Sequence, residues 1–198
     1  MPKQVDHDQR KQTIAEATWR VILQQGMEGA SVRNIAKEAG LSAGALRHDF
    51  SSQEELLRYA MNLVKEKAAA RIKAILTLEL PPKEKVLRTL LEIVPTREET
   101  RAEMEVWMAF TTYFRHKQTG FDAQHDGIYQ LMQYLIAYLE QQGLLETGAD
   151  QELEAERLYA LIDGIALHAL LDSQRLGAGK ISRILEYHLN SMMDAAEN

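Results

Sequence analysis

Apolar positions recur with the 3.6-residue period of an amphipathic helix along nearly the whole chain, and no stretch alternates as a strand does. The period predicts a helix over residues 8–25, with Ile14, Ala17, Thr18, Val21 and Ile22 on one face and Gly26 at its stop. Two short helices are expected within residues 31–50. The first carries Val32, Ile35, Ala36 and Ala39 behind Ser31 as N-cap, and Gly40 stands where the backbone must turn to positive φ. Ser42 caps the second, in which Leu46 and Phe50 face the core. Ser51-Ser52-Gln53-Glu54 then starts a fourth helix over 53–76, bearing Leu56, Leu57, Ala60 and Val64.

The later half is helical too, with punctuation between segments. Pro81-Pro82 opens a helix carrying Val86, Leu87, Leu90, Leu91 and Val94, and Pro95 closes it. Residues 97–117 show a stripe of Met104, Trp107, Met108, Thr111 and Phe114, and Gly120 marks the break. Residues 123–142 place Ile128, Leu131, Met132, Leu135, Ile136 and Leu139 at core spacing before Gly143. The segment 151–173 is apolar nearly all round after Leu158, so it must be buried on more than one side. Residues 180–194 bear Ile181, Ile184, Leu185, His188, Leu189 and Met192 on one stripe. The expected fold is all-α: an N-terminal three-helix module over 1–52 and a larger helical domain over 53–198, with helix 53–76 connecting them.

The pair of short helices in 31–50 carries the chemistry. Ala36, one turn before Gly40, lets the two helices cross closely, as a helix-turn-helix requires. An ordinary αα-hairpin has the same spacing. Three helices and the start of a fourth within the first ~75 residues, however, is the arrangement of a homeodomain-like module, whose last helix enters the DNA major groove.

Charge softens rather than decides this reading. The net charge is −6, which at first disfavours a nucleic-acid partner. Residues 1–73, however, hold 12 Lys/Arg against 9 Asp/Glu, while residues 74–198 hold 11 against 20. A mildly basic head on an acidic body needs only the head to approach phosphates. Cysteine is absent, which excludes disulfides and thiolate metal sites. The polar start MPKQVDHDQRKQ is unlike a signal peptide, and no apolar run approaches the ~20 residues of a membrane span, so a cytoplasmic location is expected. His116 and His125 with Asp122 and Asp126 have no diagnostic ligand spacing, and neither a metal nor a cofactor is expected. No nucleophile motif or phosphate loop supports an enzyme.

The run IAEATWRVILQQGMEGASVRNIAKEAGLSAGALRHDFSSQEELL, residues 14–57, resembles the TetR family of transcriptional repressors. Members show a Gly-x-Leu-Tyr-x-His/Tyr-Phe recognition segment, which here is Gly44-Ala45-Leu46-Arg47-His48-Asp49-Phe50. Arg47 holds the tyrosine position, and Gln53 the place of a frequent lysine. The resemblance implies that Ser31, Arg33, Ser42, Ala43, Gly44, Ala45, Arg47, His48 and Gln53 face a double-stranded DNA operator. Arg47 can serve as a phosphate donor, the alanines can touch a thymine methyl, and Gly44 permits close backbone approach.

So small a reading surface discriminates little alone, because each good base contact contributes ~1–3 kcal/mol. A symmetric dimer on a palindrome is the natural remedy. Residues 157–168, RLYALIDGIALH, resemble the corresponding helix of BetI-type repressors, which implies a homodimer through the last two helices; a larger monomeric bundle fits the same pattern. The family also implies a small-molecule effector. Trp107, Phe110, Tyr113, Phe114, Tyr129, Met132, Tyr134, Asp163 and His168 are candidate pocket residues, since aromatic walls with an acid can hold a cation. The same aromatics at helical spacing also suit a plain core. The expectation is a ligand-released repressor; the rival is a helical ligand-binding or interaction protein without DNA affinity.

Overall fold

The computed structural model describes the backbone of residues 2–117 and 127–193 and the side chains of 7–114 and 127–193. The described residues form nine helices and no strand: α1 Pro2–Gly29, α2 Val32–Glu38, α3 Ala43–Asp49, α4 Gln53–Leu76, α5 Pro82–Leu91, α6 Glu98–Lys117, α7 Ile128–Gln141, α8 Gln151–Leu171 and α9 Ala178–Ser191. The chain divides into two compact units, one of residues 1–69 with 105–121 and the other of 70–104 with 122–198.

The core of the first unit is drawn from α1 to α4 and the second half of α6. Ile14, Val21 and Ile22 of α1 meet Ile35 and Ala36 of α2, Leu46 and Phe50 at α3, and Leu56, Leu57 and Ala60 of α4. The Thr18 hydroxyl is fully buried and donates to Ile14 O at 2.9 Å, which removes the cost of an unpaired polar group. Trp19 Nε1 donates to Ala60 O at 3.0 Å, joining α1 to α4. Trp107 packs against the same cluster. The regular course of α1 breaks at Gly26, whose φ of 69° agrees with the expected stop.

The second unit is built around α5, α7, α8 and α9. Val86 and Leu90 of α5 share a core with Met132, Leu135, Ile136 and Leu139 of α7, Leu158, Ile162 and Ile165 of α8, and Ile181, Leu185 and Leu189 of α9. Asp150 caps α8 by accepting from the N–H groups of Glu152 and Leu153. A charge network ties Arg71, Glu92, Arg97 and Glu103 of this unit together. Arg71 makes two hydrogen bonds to Glu103, at 2.9 and 2.6 Å, and one of 2.8 Å to Glu92. Arg97 grips Glu92 at 2.8 and 2.6 Å, and these two guanidinium groups hold the Glu92 carboxyl below its usual range.

One expectation needs correction. The fully buried line of α6 is Val106, Phe110 and Phe114, while Met104, Trp107, Met108 and Thr111 are half-buried. One helix here serves two cores. Its first turns belong to the second unit, where Thr100 is buried, and its later turns to the first, so no single stripe describes its whole length. Within one chain α8 is covered on one side, leaving Leu153, Leu167 and Leu171 exposed. The expected start of α7 before Ile128, the break at Gly120, and the side chains of His116, Asp122, His125 and Asp126 lie outside the described residues.

Candidate nucleic-acid interface

The helix-turn-helix geometry is fixed by local capping. Ser31 Oγ accepts from the Asn34 N–H at 3.2 Å, and Asn34 Nδ2 donates to Gly29 O at 2.9 Å, which anchors the start of α2. At its end, Leu41 N–H bonds to Ala36 O at 2.8 Å and Gly40 N–H to Lys37 O at 3.2 Å. This is a Schellman closure, and it requires the left-handed backbone seen at Gly40, φ 69°. Ser42 Oγ then accepts from the Ala45 N–H at 3.0 Å and starts α3. Leu46 and Phe50 are buried beneath that helix and set its rotation.

With α3 so turned, Ser42, Gly44, Arg47 and His48 are exposed, and Ala43 and Ala45 are half-exposed beside them. Arg33 is exposed at the first turn of α2, and Ser31 is half-buried at its cap. Gln53 is occupied differently: its Nε2 donates to Ala30 O at 2.7 Å, so the amide holds the turn before α2. An adjacent cap secures the next helix, where Glu55 accepts from the Ser51 N–H at 2.8 Å, its pKa lowered by the Ser51 hydroxyl and backbone bonds.

Sequence reasoning missed Arg10 and Asp49. Asp49 lies one turn after Leu46, on the inward side of α3, and its side chain is only 2% exposed. Arg10 of α1 reaches it with Nε 2.8 Å from Oδ2 and also donates to Ala45 O at 3.4 Å. The helical phase of Asp49 with Leu46 was the available signal.

The family description for bacterial regulatory proteins of the tetR family matches residues 14–60, and that for the BetI-type transcriptional repressor C-terminal domain matches residues 82–194. The chain belongs to the TetR family. Its match to the HTH-type transcriptional regulator PksA of Bacillus subtilis (strain 168) is 62% identity over 97% of this chain and 94% of that protein. Among solved structures, a transcriptional regulator from Rhodococcus sp. Rha1 superposes with a TM-score of 0.82 at 25% identity, covering 94% of this chain and 98% of that one. A regulator from Saccharomonospora viridis, crystallised in complex with choline, shares the fold with a TM-score of 0.82 at 23% identity, over 95% and 100% of the two chains. This TetR-family protein is a DNA-binding transcriptional regulator and not an enzyme.

The effector candidates divide between the two units. Phe110 and Phe114 are fully buried in the first, with Trp107 and Tyr113 packed against the same core. The rings of Phe110 and Phe114 stack at 6.0 Å, and Tyr113 meets Phe114 edge-on at 5.3 Å. Tyr113 also lines an open groove of about 460 Å³ with Met27, Met108, Ala109 and Thr112. In the second unit Met132 is wholly inside the core, Tyr129 packs on Tyr159 at 5.7 Å, and Tyr134, Asp163 and His168 are exposed. Burial raises the Tyr129 hydroxyl pKa, assisted by Glu156. Among the described residues no helix is long and apolar enough to cross a membrane.

Proposed function

We propose that this TetR-family regulator is a cytoplasmic repressor that binds a palindromic operator as a homodimer and leaves it when a small-molecule effector binds. The observation that carries the reading is the outward face of α3. Ser42, Gly44, Arg47 and His48 are all exposed over a base clamped by Leu46 and Phe50, the condition for a helix to enter a major groove. Arg33, Arg47 and the Ser31 end of α2 supply phosphate contacts, Ala43 and Ala45 supply apolar contact to thymine, and His48 reads or clamps. Gln53 acts through the turn it holds. In this reading residues 1–52 are the reading domain and 53–198 the effector and dimerisation domain.

The dimer uses α8 and α9. Along the outer side of α8, Leu153, Arg157, Ala160, Gly164, Leu167 and Leu171 follow one another at helical spacing, and a Cβ placed on Gly164 would meet nothing within 4 Å. On α9, Tyr187 is 79% exposed. A second copy covering these residues buries apolar surface that the protomer leaves in water. For the effector, Trp107, Phe110, Tyr113 and Phe114, or Tyr129, Met132, Asp163 and His168, form the walls. The choline complex of the Saccharomonospora viridis neighbour supports a small molecule as the ligand class.

The test is to recover genomic fragments retained by the purified protein, footprint them, and measure the mass of the complex. A two-fold symmetric footprint carrying an even number of chains is expected. An asymmetric footprint held by a single chain overturns the reading.

A further inference from the structure

Where α1 passes the end of α3, three groups capable of binding a metal converge. His7 Nδ1 lies 3.6 Å from Asp49 Oδ1, and His48 Nδ1 lies 3.9 Å from the same oxygen. One ligand atom from each residue falls within 4.8 Å of the other two. The imidazole rings stack at 6.3 Å with an interplanar angle of 27°. Both nitrogens are too far from the carboxylate for a hydrogen bond. Two ligands on a tetrahedral zinc ion, bonded at 2.0–2.1 Å, stand roughly 3.4 Å apart, so small rotations of the two exposed rings would close the set.

The carboxylate itself supplies the independent argument. Its side chain is 2% exposed, and Oδ2 is buried without a hydrogen-bond partner, because Arg10 Nε approaches to 2.8 Å off hydrogen-bond alignment. Arg10 balances the charge of this buried carboxylate but leaves its hydrogen-bonding capacity unmet, and an ion is one of the partners that can account for such a group. Arg10 also fixes the direction of Oδ1, the part that outer-shell groups play at metal sites.

We propose that His7, His48 and Asp49 form a binding site for a divalent transition-metal ion of the zinc class, joining α1 to the end of α3. Two imidazoles and one carboxylate are a donor set such ions accept, and the exposed side of the cluster leaves a fourth position for water. The site stands whether or not His48 touches DNA.

Isothermal titration of the untagged full chain with zinc chloride tests it, with cobalt(II) absorption reporting coordination number. Wild-type protein is expected to take up zinc at a site that His7→Ala and His48→Ala each weaken by about tenfold or more. His168→Ala, on the exposed side of α8, leaves that site intact. Both cluster histidines are exposed, so neither substitution threatens the fold. Circular dichroism of each variant verifies this. Absence of saturable zinc binding, or an isotherm unchanged by both cluster substitutions, overturns the proposal.

Discussion

Replacing Leu167 and Leu171 together by serine separates the assembly of the protein from its folding. In the protomer these side chains keep 44% and 74% of their surface exposed. Full burial of a leucine contributes about 1.5–3 kcal/mol, so covering the exposed fractions contributes about 2–3.5 kcal/mol per chain. A two-fold interface counts each residue twice, giving about 4–7 kcal/mol per dimer, or roughly three to five decades in the dimer dissociation constant. Ordering at the interface takes up part of this gain. Half of the lower value would still shift the constant more than tenfold. Sedimentation equilibrium at several concentrations measures the shift directly, and urea unfolding of the dissociated variant tests the protomer, which should lose no more than about 1–2.5 kcal/mol, the part of the two side chains already buried within it. An unchanged dimer constant refutes the assignment of the α8 face. A collapse of protomer stability refutes the claim that these leucines are free of the core.

Arg47→Ala is expected to weaken operator binding and to reduce the slope of log affinity against log salt by about 0.9, one phosphate contact. An unchanged slope, read from fluorescence anisotropy at four salt concentrations, removes Arg47 from the phosphate contacts. His188 gives a pH signature: burial first, and the Arg157 charge second, lower its pKa from 6.5 to about 4 in the folded chain. The unfolded chain therefore binds more protons between those values, so His188 contributes stability in full above pH 6.5 and loses it progressively as pH falls towards 4. Denaturant midpoints across that window should fall more steeply for the wild type than for His188→Gln, and parallel curves would contradict the assignment.

Much of this fold was legible because its determinants are local. Ser31, Ser42 and Gly40 act within one turn of their own positions, and each performs the capping role its residue type suggests. The faces of α1, α7 and α9 follow from period alone, since each packs in one unit along its core residues. The face of α6 was misread because its two ends answer to different cores, a fact of tertiary organisation that no periodicity carries. At the candidate interface, exposure on α3 was readable from Leu46 and Phe50. The internal use of the Gln53 amide was not, because its acceptor, Ala30 O, is a backbone atom 23 residues away. The groove beside Tyr113 was equally hidden, since Met27 reaches it from the far end of α1.

The chain has only two tryptophans, and Trp19 and Trp107 both belong to the first unit. Five of the seven tyrosines, at 129, 134, 138, 159 and 187, belong to the second. Light absorbed selectively by indole therefore interrogates the first unit alone, and phenolic absorption is weighted to the second. Trp19 carries a direct reporter of helix separation, because its ring nitrogen is bonded to Ala60 O and the Lys67 ammonium sits 4.7 Å above its face. An emission change on adding a small molecule would thus report on the unit that carries α3, even with no nucleic acid in the cuvette.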